Sequence, residues 1–238
     1  MIKKIYLIIL MLIIAASIQA GDFSYLSKKF ENKNYLIYIN KADKQLYLIG
    51  KDMKPFKQYE IGTGEEQGRK LHAGDKKTPE GVYKITQILA AEEPGFLKRL
   101  KTNLVEKNTY ASAYDEFKKN QRELRHMNEV FFKLKDGHKK YGTQEDLGYS
   151  VYGPAFLRLN YPNKEDKKRY SEALKKWEID EKGNGRVFGM GAGIALHGTN
   201  DNPSLGQDAS SGCVRMKNTD MLELLEYVEK GMTVIIEK

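Results

Sequence analysis

Apolar and polar positions divide the chain into a β-patterned front, a charged helical middle and a mixed end. Residues 35–39, YLIYI, and 46–49, LYLI, are short runs rich in aliphatic and aromatic side chains. The polar NKADKQ between them predicts a hairpin or two neighbouring strands. Residues 56–61, FKQYEI, predict a further strand that ends at the GTG of 62–64. Thr78-Pro79-Glu80-Gly81 reads as a turn, after which Val82, Tyr83 and Ile85 resume strand character. No helical period runs through this front half.

The middle changes character. Between Lys98 and Lys140 the chain carries 12 lysines or arginines and 6 acids. Tyr110, Tyr114, Phe117, Leu124 and Phe131 recur at three-, four- and seven-residue intervals, predicting an amphipathic helix over about 109–127. Two roles stand open for this stretch: a cover over the β core with a solvated basic face, or a wall that guides a polymer beside an active site. His126 and His138 read as surface residues. PAFLRLNYPN, 154–163, returns to strand character and stops at Pro162. Asn163 then caps KEDKKRYSEALKKW, where Tyr170, Leu174 and Trp177 share a helical face. Asp166 stands where a capping box prefers glutamate, which predicts an imperfect box.

Gly183, Gly185, Gly189, Gly191 and Gly193 do not match phosphate-loop spacing; they suit a backbone that turns and approaches closely before IALHG, 194–198. Asn218 or Thr219 caps a last helix through DMLELLEYVEK, Gly231 ends it, and MTVII forms a final strand.

The first 20 residues are set apart. A basic MIKK, the apolar IYLIILMLIIAA and the short SIQA read as a secretory signal peptide, with 21–34 as an N-terminal extension. The apolar run is too short for a comfortable permanent span. Ile18 fits the cleavage position less well than alanine, so a shifted cut or a retained anchor is the alternative. No cysteine follows the run to carry a lipid, and no second apolar span follows Asp22. The expected destination is outside the cytoplasm, in the periplasm or cell envelope. The composition of the full 238-residue chain, 40% hydrophobic and 30% charged, is that of a folded protein. A formal charge of +8 favours anionic envelope polymers or lipid headgroups. No nucleic-acid-reading spacing accompanies it, so no nucleic-acid partner is expected. The sequence fixes no oligomeric state.

Candidate chemistry gathers in HGTNDNPSLGQDASSGCVRMKNTD, 197–220, which holds the single cysteine, Cys213, sixteen residues after His197. One cysteine closes no internal disulfide, so export leaves Cys213 a free or intermolecular thiol. Taken alone, a buried small hydrophobe is an equal reading of Cys213, and a structural histidine is one of His197. The pair also suits a nucleophile with an imidazole to take its proton and return one to a leaving amine. Gly212 permits a bend that aims the Gly212 and Cys213 amides at a developing oxyanion. The Gly198 carbonyl is placed to accept the second imidazole proton. Ser210, Ser211 and Thr199 are candidate supporting hydroxyls. A zinc site would have to recruit His72, Asp201 or Asp208 without any paired-ligand spacing, so no metal is expected.

HGTN followed by SSGCVRMKNTD resembles the L,D-transpeptidase catalytic-domain family of bacterial cell-wall enzymes: a histidine-glycine pair, roughly a dozen residues, then serine or threonine, any residue, glycine, cysteine, any residue, arginine. LYLI and HAGDKKTPEGVYKI resemble that family's opening strands and threonine-proline-glycine loop, and Asn218 and Asp220 fit its closing segment. The resemblance implies a mainly β fold, a β-sandwich or partly open β-barrel with helical insertions, over 35–238, with 96–153 as a basic helical insertion. It implies Cys213 as the acylated nucleophile, His197 as base and Gly198 as its orienter, with Ser210, Ser211 and Gly212 in the nucleophile loop. Arg215 would hold that loop or meet a substrate carboxylate, and Thr199 and Asn218 would support it. Tyr161 would match an aromatic residue at the substrate groove.

Many members carry histidine where this chain has Ser211. The implied reaction releases D-alanine from peptidoglycan tetrapeptide stems and passes the acyl group to an amine on another stem or an envelope protein, with no cofactor. Hydrolysis of the same stems, of cross-links or of protein anchors is the alternative. A non-enzymatic envelope scaffold, more remote, would keep the fold with an idle thiol.

Overall fold

The computed structural model describes residues 23, 26, 34–103, 107–134, 151–176 and 189–238. The expected signal peptide, Trp177, His138, Gly183 and Gly185 lie outside the described residues. Among the described residues no helix is long and apolar enough to cross a membrane.

Nine strands form the frame of the described chain: β1 (Tyr35–Asn40), β2 (Gln45–Gly50), β3 (Pro55–Gly64), β4 (Gly81–Ala90), β5 (Ala155–Leu159), β6 (Ala195–Gly198), β7 (Asp208–Ser210), β8 (Val214–Met216) and β9 (Thr233–Glu237). They pair in the order β2-β1-β9-β4-β5-β6-β8-β3-β7, and β2 also pairs with β3. That last pairing closes eight strands into a barrel and leaves β7 as an appendage on β3. The expected mainly β architecture is present, as a closed ring.

The apolar runs are continuous where both faces of a strand are covered. Ile37, Ile39, Leu46, Leu48, Val234 and Ile236 point into the main core. Leu36, Tyr38, Ile49 and Ile235 point outward and are covered by Phe23 and Leu26 from the N-terminal extension. Strand β3 runs through the GTG where the sequence pattern predicted its end. A side chain at Gly62 would meet the Ser204 carbonyl at 2.5 Å, and one at Gly64 would collide with the Lys76 carbonyl. Glycine thus lets the strand continue beneath crossing backbone instead of stopping it.

Between β4 and β5 the described residues form two helices: α1 (Gly95–Thr102) and α2 (Lys107–Leu134). The predicted helix is therefore longer than its periodic core. Phe117 and Leu124 are buried, Tyr110 and Tyr114 stack with ring centroids 5.8 Å apart, and Asn120 donates to the Ile88 carbonyl of β4. The aromatic stripe covers the barrel, and His126 is exposed.

Helix α3 (Lys164–Lys175) has both halves of its capping box. Asn163 accepts the Glu165 and Asp166 amides, and the Asp166 carboxylate accepts the Asn163 amide at 2.9 Å. Aspartate completes the box because Asp166 is buried and oriented by Arg169 and Tyr83. Helix α4 (Asn218–Leu224) departs from expectation twice: Lys217 is its cap residue, with no side-chain cap bond, and the helix stops early. The Leu225 and Glu226 carbonyls are taken by the Gly95 amide and the Arg99 guanidinium, which draws the chain off the helical path.

Candidate active site

Strands β6 and β8 run parallel, with Leu196 beside Val214, His197 beside Arg215 and Gly198 beside Met216. Side chains alternate across a strand, so Leu196, Val214 and Met216 enter the core while His197 and Arg215 face outward. Cys213, one residue before Val214, shares the outer face. His197 and Cys213 are thus offset neighbours on the same face of the β6–β8 pair. Both line a cavity of about 380 Å³ together with Thr199, Asp201, Ser210, Ser211 and Arg215.

The imidazole is fixed on three sides. Its Nδ1 lies 2.5 Å from the Gly198 carbonyl oxygen. A carbonyl only accepts, so Nδ1 carries the proton and Nε2 keeps the basic lone pair. Phe156, which pairs with His197 across β5 and β6, stacks on the ring at 5.7 Å and 15°, and Tyr152 meets it edge-on at 5.1 Å and 81°. Burial pulls the His197 pKa down to about 4; the Gly198 hydrogen bond opposes the shift and the Arg215 charge adds to it. The imidazole is neutral at neutral pH.

Cys213 is half-buried and its thiol donates to the Gly193 carbonyl at 3.6 Å. Burial pushes its pKa up, against the Ala195 amide and the positive charges of Arg215 and Lys70. The resting pair is therefore thiol and imidazole, not thiolate and imidazolium.

The loop that carries Cys213 is held from within. Ser210 Oγ donates to the Cys213 carbonyl at 2.5 Å and accepts the Gly212 amide at 3.0 Å. Thr78 Oγ1 donates to the Gly212 carbonyl at 3.0 Å while accepting the Gly64 amide at 2.8 Å. Gly212 has φ +127, and a side chain there would meet the Lys77 carbonyl at 2.8 Å. The expectation that the Gly212 amide faces an oxyanion needs correcting, since that N–H is committed to Ser210. Ser211 is exposed at the cavity.

Arg215 pairs with Asp201 at 3.0 Å and so braces the turn after His197. Thr199 is buried; its Oγ1 accepts the Asp201 amide and its own amide is accepted by Asn218 Oδ1 at 2.9 Å. Asn218 is spent on this loop, which is why it does not cap α4. Tyr161 is a second correction. It is buried in the core, donates to the Met190 carbonyl at 3.0 Å and does not line the cavity. It anchors the glycine tract that leads to Gly193.

Thr78 reads in the sequence only as part of a turn; Tyr152, Phe156 and Asn200 are not singled out there. Only Phe156 left a signal, as an outward position alternating in FLRL beside β6. Asn200 lines the cavity, and its Nδ2 is buried without a hydrogen-bond partner. Among the described residues no three His, Cys, Asp or Glu side chains are grouped to hold a metal; Asp208 is engaged by Thr63 and Lys44.

A family model described as YkuD, L,D-transpeptidase catalytic domain, matches residues 34–236. Among curated proteins, YkuD of Bacillus subtilis (strain 168) is 44% identical over 43 residues, 18% of this chain and 26% of that protein. YqjB of the same organism is 38% identical over 59 residues, 24% of this chain and 30% of that protein. The chain thus covers less than a third of the length of these relatives. Among solved structures, Bd1075 of Bdellovibrio bacteriovorus has a TM-score of 0.45 at 20% identity, covering 86% of this chain and 48% of that one. The helical cell shape determining protein Pgp2 of Campylobacter jejuni has a TM-score of 0.46 at 20% identity, covering 90% and 55%.

Proposed function

The chain belongs to the YkuD family of L,D-transpeptidase catalytic domains, and from that premise we propose that it is a cysteine acyltransferase acting on peptidoglycan stem peptides in the cell envelope. His197 Nε2 takes the Cys213 proton as sulfur attacks the carbonyl carbon of the third stem residue. The carbon–nitrogen bond then breaks, and the imidazolium returns its proton to the departing D-alanine amine, leaving a thioester. An amine from another stem, or from an envelope protein, attacks that thioester and gives its proton to His197. The carbon–sulfur bond breaks, and the imidazolium restores the thiol. No metal or organic cofactor enters these steps.

The observation that carries this reading is the shared outer face of β6 and β8, with His197 Nδ1 committed to Gly198. A neutral, correctly protonated imidazole beside a neutral thiol suits general-base attack, in which charge develops only as substrate displaces water. With the Gly212 amide occupied, the Asn200 amide is a donor left to pair with a substrate oxygen. The basic chain and its leader-like first 20 residues agree with an envelope location.

The test is incubation of purified protein with tetrapeptide stems and an amine acceptor. Release of D-alanine with a new amide product is expected. Tripeptide alone would replace transfer by hydrolysis, and no D-alanine at all would reject the reaction.

A further inference from the structure

No step of the proposed reaction uses the helices between β4 and β5, yet the later turns of α2 reach the base. Leu124 and Met127 pack in one cluster with Leu89, Phe156, Ala195, Tyr152 and Cys213. The next residue, Asn128, accepts the main-chain N–H of Tyr152 through Oδ1 at 2.9 Å. Tyr152 lines the Cys213 cavity and stands edge-on both to His197 at 5.1 Å and to Phe156 at 5.2 Å.

The imidazole therefore lies between two aromatic rings that are held differently. Phe156 is part of β5 and cannot shift without disturbing the sheet. Tyr152 precedes β5, in a turn, and the Asn128 side chain of α2 accepts its main-chain N–H. We propose that Tyr152 is a positioning residue for His197 and that Asn128 is the tether through which α2 sets it. The helical segment then belongs to the catalytic apparatus as well as covering the barrel. The inference rests on the reading of His197 as the base.

The tyrosine ring acts on the imidazole in two ways. It closes the side that would otherwise admit water, which disfavours the protonated form. It also blocks rotation away from the Gly198 carbonyl, which preserves the Nδ1–H form. Among the described residues Glu65 and Asp201 also line this cavity, Asp201 paired with Arg215. Arg215 and Cys213 face the ring from β8 and the loop before it, and the Tyr152 hydroxyl is on the ring's own clamp. From β5, Arg158 sits over Phe156 and pairs with Glu123 of α2. The α2 residues nearest the clamp, Leu124 and Met127, are uncharged.

The experiment is NMR titration of the His197 imidazole in the full chain, alongside steady-state kinetics on tetrapeptide stems. Asn128→Ala and Tyr152→Leu should move the His197 titration upward by about one pH unit, toward the ordinary histidine value. Asn128→Ala should lower kcat about tenfold with KM held, since Asn128 does not line the cavity. Tyr152→Phe keeps the ring and should titrate like the native chain. Should Asn128→Ala fail to fold, Tyr152→Leu against Tyr152→Phe carries the same comparison. An unmoved titration in folded Asn128→Ala or Tyr152→Leu overturns the inference. Failure of the base reading would look different: His197→Ala would still form the thioester.

Discussion

Asn218 Oδ1 accepts the Thr199 amide at 2.9 Å, so α4 holds the residue two places beyond His197. Thr199 is 2% exposed, which leaves its N–H no water to turn to. Asn218→Ala should therefore cost about 1–3 kcal/mol of unfolding free energy, the penalty for a buried donor left unpaired. Asn218→Asp keeps an acceptor and should recover most of it. Urea denaturation of the three proteins checks both expectations.

The loop that carries Cys213 depends on a glycine with φ +127 packed against the Lys77 carbonyl. Gly212→Ala places a methyl group into that carbonyl in a backbone region that alanine rarely adopts. The expected result is loss of thioester formation, with at least about 2 kcal/mol of destabilisation. Thermal melts and acylation assays on one preparation would measure both.

Ser210 satisfies two backbone groups of the loop at once, the Gly212 amide and the Cys213 carbonyl. Ser210→Ala strands a buried amide and should slow acylation at an unchanged KM, while Ser210→Thr retains the hydroxyl and should act nearly as the native chain. Steady-state kinetics on tetrapeptide stems distinguishes the variants.

Burial holds the His197 pKa near 4 in the folded chain, against 6.5 for an ordinary histidine. Above 6.5 both folded and unfolded states are neutral there, and the group contributes no pH dependence. As pH falls from 6.5 to 4 only the unfolded chain gains the proton, so stability is lost, by about 3 kcal/mol at pH 4. Asp75 and Asp208 have carboxyl pKa values held below the usual range, chiefly by hydrogen bonds to neighbouring groups that outweigh their burial. Their losses set in as pH approaches the ordinary carboxylate value near about 4 and deepen below it, beneath most of the histidine window. In His197→Gln the stability measured by denaturant titration should be flatter across pH 6.5–4.

Much of the barrel is readable in the chain because its strands are continuous apolar runs, and the His197–Cys213 pairing is readable because motif spacing is local. The positions that mislead are those whose partners are distant. Asn218 looks like a cap until β6 brings Thr199 to it. Tyr161 looks like a groove aromatic until Met190 takes its hydroxyl. Glycines at 62 and 64 look like a strand end because sequence does not show the backbone crossing above them. Tyr152 leaves no period or motif at all; its place beside His197 is created by the α2–β5 packing.

The most direct test of the central claim is intact-mass spectrometry of the full chain, rapidly quenched after mixing with a tetrapeptide stem. The expected result is a tripeptidyl adduct mapped to Cys213, absent from Cys213→Ser and strongly reduced in His197→Ala. An unmodified native chain, or an adduct formed equally well without His197, would contradict it.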